Sequence, residues 1–288
     1  MPRTRIQSLV ITGLVVALLL GPLTLTLAAQ TGRSGYHWAR QSSQFTLQVG
    51  DNVDGVWDGI LQRAVSDWNK GDTITFRIVS GGTGPQECRL TTGRVEVCNW
   101  PYGTQEGWLG LARLYFDDRG DHIEAVTVQM NDSFFATNSQ YNNDAARRHT
   151  MCHELGHAAG LDHTSSGSCL NDSQYAVFNQ LVPTKKDFKQ LERIYSHTDS
   201  TTTVAGKQKK SKKDEPKDKK GKGGKNHRKR RQDDQRMRDQ HAGVERIHTE
   251  RAASETMTIE TLPDGRKVVN FITWAEDPTS QASRPPDR

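Results

Sequence analysis

The segment His153-Glu154-Leu155-Gly156-His157-Ala158-Ala159-Gly160-Leu161-Asp162-His163 carries the chemistry of this chain. Residues four apart lie one above the other on an α-helix, so the imidazoles of His153 and His157 can reach one ion from the same face. A straight helix cannot supply a third ligand from the right direction. Gly160 can take left-handed backbone angles, end the helix and let the chain bend back to bring in His163. Three neutral imidazoles hold zinc at about 2.0–2.1 Å and leave its fourth position to water, the arrangement of catalytic sites. Glu154 is then placed as general base toward a zinc-activated water and, once protonated, as proton donor to a leaving amine. The expected reaction is hydrolysis of a peptide bond with no covalent intermediate. Either histidine alone would read as an ordinary helix-surface residue; the spacing, the intervening Glu and the Gly-then-His continuation set the stretch apart.

The elements that must hold these residues follow from periodicity. Phe45, Leu47 and Val49 alternate with polar residues as in a half-buried strand. Val56, Trp57, Ile60, Leu61, Ala64, Val65 and Trp68 recur at helical spacing and predict a helix ending near Gly71. Strands are expected over Thr73 to Val79, Arg94 to Asn99, Trp108 to Phe116 and His122 to Met130. Polar Asn138 to Asp144 introduces the helix that carries His153 and should stop near Gly160. A last helix follows Pro183, with Thr184 and Asp187 in a capping-box arrangement and Phe188, Leu191, Ile194 and Tyr195 as its apolar stripe. Residues 36–198 thus form one α/β unit. Near the end, Met257 to Ile259 and Val268 to Trp274 flank Pro263-Asp264-Gly265 and predict a small β-hairpin, which is marginal alone and should dock on something.

Of the 288 residues, 33% are hydrophobic, so part of the chain contributes little to any core. Residues 207–231 hold 14 Lys/Arg against 3 Asp/Glu, a balance of +11 in a chain of +5, which leaves a mildly acidic body at −6. The stretch 199–255 has few large apolar side chains and is expected to be a disordered linker. Its basic part would attract an anionic surface polymer or lipid; having no Phe, Tyr or Trp to stack on bases, it argues against nucleic acid. At the other end, Arg3 and Arg5 precede an apolar run from Leu9 to Leu27, and Ala28 and Ala29 follow, the pattern of a cleavable export signal over 1–29. A retained membrane anchor is the alternative. The chain is therefore expected to be secreted or held at the cell surface. Outside the cytosol its four cysteines tend toward disulfides. Cys88 and Cys98 flank a turn-forming stretch and are expected to pair, leaving Cys152 with Cys169; free buried thiols are the competing reading.

With these residues the chain resembles the metzincin zinc endopeptidases, and among them the bacterial matrixin-like proteins. Beyond the zinc motif, the resemblance rests on Gly93-Arg94-Val95-Glu96-Val97-Cys98-Asn99, Gly107-Trp108-Leu109-Gly110-Leu111-Ala112, Met130-Asn131-Asp132 and Ile194-Tyr195-Ser196-His197. It implies an α/β (α+β) fold: a twisted mixed sheet with two main helices and a C-terminal helix, here a catalytic domain over 36–198. The linker 199–255, the hairpin segment 256–275 and a disordered end 276–288 would follow. It also implies a cleft along an edge strand, for which Trp108 to Phe116 is the best match, where a peptide adds as a further strand. The family places a methionine beneath the zinc; Leu170, in Ser168-Cys169-Leu170-Asn171, stands there and fills similar volume. No cysteine lies between the signal and Phe45, so the propeptide-cysteine latency of animal matrixins is not expected. Nor does the 117–122 segment show the His/Asp cluster of their structural zinc. Calcium at Asp117, Asp118 and Asp121 is a lesser alternative with oxygen ligands but no spacing signature. The expected function is that of a secreted zinc-dependent endopeptidase; the alternative is a non-enzymatic, polyanion-binding surface protein that keeps a zinc-bound scaffold.

Overall fold

Apolar alternation builds the sheet. In β2 (Phe45–Asn52) Leu47 and Val49 are buried, and β3 (Ile74–Ser80) turns Ile74 and Phe76 the same way. Strands β4 (Val95–Trp100) and β6 (His122–Asn131) are almost wholly buried, as expected of central parallel strands covered on both faces. Glu96, buried in β4, is tolerated because Arg94 Nε donates to it at 2.7 Å and Asn52 Nδ2 at 2.8 Å.

The structure is a computed structural model that describes residues 36–105, 107–120, 122–164, 167–171, 179–206, 245–251 and 255–275, all within one unit, Gly32–Arg288. The expected export signal, the basic stretch 207–231 and the end 276–288 lie outside the described residues. Among those described, no helix is long and apolar enough to cross a membrane.

The sheet runs β3-β2-β4-β6-β5-β9-β8-β7. Here β5 is Trp108–Phe116, β7 Glu245–Arg251, β8 Glu255–Thr261 and β9 Lys267–Trp274. Strands β2, β3, β4 and β6 are parallel, and β5 turns antiparallel to β6. A two-residue strand, β1 (His37–Trp38), joins β6 in parallel at its start. Helix α1 (Val56–Trp68) buries Trp57, Ile60, Leu61, Ala64, Val65 and Trp68. Val56 is the exception to the expected stripe: it opens the helix and stays exposed. Helix α3 (Asp144–Ala158) lies against α1, β5 and β6. Trp68 Nε1 donates to Cys152 O at 2.9 Å and Trp38 Nε1 to Ala158 O at 2.8 Å, fixing α3 from two sides. Helix α4 (Lys185–Ile194) starts on the Thr184/Asp187 capping box. The fold is the mixed α/β arrangement that the resemblance implies.

The structure departs from the sequence reading in four places. A short helix, α2 (Asp132–Thr137), follows β6, its N-cap Asn131 accepting from Ser133 N at 3.2 Å. Residues 199–206, expected in the linker, pack on the unit: Asp199 N donates to Arg40 O, Thr203 N to Ala39 O and Ala205 N to Gly93 O. Strand β7 forms inside the same expected linker. Finally, β5 is not an edge. The hairpin β8–β9 has docked on it, β9 pairing antiparallel from Trp108↔Trp274 through Ala112↔Phe271 to Tyr115↔Val268. A strand with one row of unpaired backbone groups and a hairpin unable to stand alone satisfy each other.

Candidate active site

Helix α3 begins on the Asn143 cap, whose side chain accepts from Ala146 N at 2.8 Å, and is buried over almost its whole second half, His149 to Ala158. It ends in a Schellman turn: Leu161 N donates to Gly156 O at 3.1 Å and Gly160 N to His157 O at 2.9 Å. Gly160 sits at φ +91, and a Cβ there would lie 2.3 Å from Tyr36 O, so both backbone angle and space require glycine. Past this bend His163 comes back toward the helix.

The structure brings His153, His157 and His163 together. Their Nε2 atoms face one another, 2.8 Å between His153 and His157 and 3.2 Å between His157 and His163. The rings are held from behind. His153 Nδ1 is 2.6 Å from Cys169 O and His157 Nδ1 is 2.9 Å from Leu161 O. A ring whose Nδ1–H donates to a carbonyl presents the Nε2 lone pair, the tautomer a metal needs. The donor set therefore fits a zinc ion shared by the three imidazoles.

Two disulfides are formed, Cys88–Cys98 and Cys152–Cys169. The second ties α3 to the carbonyl that orients His153. Leu170 lies beside it, 1% exposed and packed against Gly156: a Cβ on Gly156 would come within 2.6 Å of Leu170 Cδ2. The apolar floor below the helix is thus built with leucine.

Glu154 is fully buried and lies against β5. A Cβ on Gly110 of β5 would be 2.4 Å from Glu154 Oε1 and 2.6 Å from Thr150 Cγ2, so the carboxylate rests directly on the strand backbone. On the other side β9 closes the space. Thr273 Oγ1 donates to Glu154 Oε1 at 2.6 Å, and the Phe271 ring stacks on His157 with centroids 4.0 Å apart and an 8° interplanar angle. Phe271 also meets His163 edge-on at 5.8 Å. Thr273, Phe271 and Gly110 were not singled out from the sequence. The only signal for the first two was the alternation Val269, Phe271, Thr273, which places all of them on one face of a strand without saying what that face meets.

Of the acidic residues considered for calcium, the two that are described do not form a metal-ligating group. Asp117 Oδ2 lies 3.2 Å from His122 Nδ1; Asp121 lies outside the described residues; and among the described residues neither Asp117 nor Asp118 joins a metal-ligating group.

The matrixin family model matches residues 38–196, more than half of the chain. Comparison with curated proteins and with solved structures returned no match.

Proposed function

Since the chain belongs to the matrixin family of zinc metalloproteases, we propose that it is a secreted zinc-dependent endopeptidase with His153, His157 and His163 as metal ligands and Glu154 as general base. The observation that carries this reading is the convergence of three Nε2 atoms beside a buried carboxylate that abuts β5. Zinc bound there supplies Lewis-acid activation of water and of the substrate carbonyl. Glu154 takes the proton from the attacking water and delivers it to the departing amine. The backbone of β5 aligns an extended peptide as an added strand, and the Cys169 and Leu161 carbonyls keep the imidazoles in the ligating tautomer. Two disulfides support an extracellular setting.

In this chain the place of the substrate strand is taken by β9, with Thr273 on the general base and Phe271 over a ligand ring. The endopeptidase is therefore latent until the hairpin leaves β5, a latency that needs no propeptide cysteine. The test is hydrolysis of an unfolded protein by the full chain, before and after cleavage in the Lys/Arg-rich stretch, with and without a chelator. Hydrolysis that appears on cleavage, stops on chelation and is absent from Glu154→Gln at unchanged zinc content supports the reading. Absence of hydrolysis from zinc-loaded protein in every form refutes it, and leaves the basic stretch and hairpin as parts of a binding protein.

A further inference from the structure

Away from the active site, three histidines and an aspartate from distant parts of the chain meet at one point. His37 comes from β1, His122 from the start of β6, and His197 and Asp199 from the stretch after α4. Asp199 Oδ1 lies 3.5 Å from His37 Nε2, 3.4 Å from His122 Nε2 and 3.4 Å from His197 Nε2, and the Nε2 atoms of His37 and His197 are 3.2 Å apart. Ligands about 2.0–2.1 Å from a tetrahedral zinc are about 3.3–3.4 Å from each other. The spacings among His37, His197 and Asp199 thus match three edges of a zinc tetrahedron, and these three residues lie mutually close enough to share an ion. A cation shared between the two facing imidazole nitrogens would take a lone pair from each. A support behind the ligands is also in place: Arg40 N donates to Asp199 Oδ2 at 3.0 Å, which turns Oδ1 toward the rings.

We propose that His37, His197 and Asp199 form a second zinc site that clamps the start of the domain to its end. Two imidazoles and a carboxylate with no thiolate suit zinc. The site joins residues about 160 positions apart in sequence and lies next to Tyr36, whose carbonyl abuts Gly160 at the end of the catalytic helix. It does not depend on the endopeptidase reading.

The test is zinc stoichiometry of the full chain by elemental analysis after dialysis, compared with His197→Ala and His163→Ala. His197 is half exposed, so its loss does not empty a core position. The expected result is two zinc ions per wild-type chain and one in each variant, with the melting temperature lowered only modestly in His197→Ala. One ion in the wild type that persists in His197→Ala overturns the proposal, as do two that persist in both His197→Ala and Asp199→Ala. One ion lost from His197→Ala but kept by His163→Ala leaves this site standing and removes the catalytic-metal reading instead.

Discussion

Replacing Phe271 by Ala tests whether β9 blocks the cleft. Phe271 is 1% exposed, packed on His157 and paired opposite Ala112 of β5. Removing a buried Phe side chain costs about 3–5 kcal/mol. Here that cost falls on the docked state alone, because an undocked hairpin exposes the ring in either case. At about 1.4 kcal/mol per factor of ten, the population with the hairpin off β5 rises by roughly two to three and a half orders of magnitude, up to the limit where all molecules are open. Thr273→Val removes the hydroxyl that bonds the Glu154 carboxylate; a hydrogen bond to a charged group contributes about 1.5–3 kcal/mol, so this change should open the cleft by roughly ten- to a hundredfold. The assay is the initial rate of hydrolysis of a quenched fluorescent unfolded substrate by the intact chain, with hydrogen exchange at those β5 amides that face β9 as the independent measure of strand release. Rates should rise in the order wild type, Thr273→Val, Phe271→Ala. If exchange shows β9 released in Phe271→Ala while hydrolysis stays at the wild-type rate, the hairpin is not the block and the latency argument fails.

Three other changes probe the supports of the site and of the sheet. Cys152→Ser opens a bridge spanning 17 residues and should cost about 3 kcal/mol in non-reducing denaturant titrations; by freeing the Cys169 carbonyl behind His153 it should also weaken zinc by about 10–100-fold in a competitive chelator titration. Gly110→Ala drives a methyl into Glu154 Oε1, so a chain with its hairpin released should lose hydrolysis yet still bind zinc; full activity in that variant contradicts the close approach of β5 to the carboxylate. Arg94→Met leaves the buried Glu96 carboxylate without its cation and should lower stability by about 3–5 kcal/mol, whereas the double change Arg94→Met, Glu96→Leu should recover much of the loss.

What the sequence made legible was what short windows encode. The helical spacing of His153 and His157, the glycine bend before His163, the Thr184/Asp187 box and the alternation in β2 each lie within about ten residues, and the elements formed there. Helix α2 had a readable signal in Asn131-Asp132-Ser133, an Asn cap ahead of an acidic first turn, but its six residues hold too little periodicity to stand out. Val56 counted as apolar stripe only because spacing cannot tell the first residue of a helix, still outside the fold, from the next turn. The docking of β9 on β5 is of another kind. It pairs residues about 160 apart, and β5 reads the same whether its free edge faces a substrate, solvent or its own C-terminus. The cluster of His37, His122, His197 and Asp199 was unreadable for the same reason: none of the four has a ligand partner at motif spacing except the last two.

The covalent link through residues 207–244 also decides how the hairpin competes. Two segments of one molecule meet at an effective concentration set by the connection between them rather than by the concentration of the protein. A peptide arriving from solution at micromolar levels would have to outbid a rival that never diffuses away. Severing the connection changes the kinetics before it changes any contact: the strand becomes an ordinary ligand with its own residence time, so onset of hydrolysis should lag behind the cut by that time, and its final extent should rise on dilution.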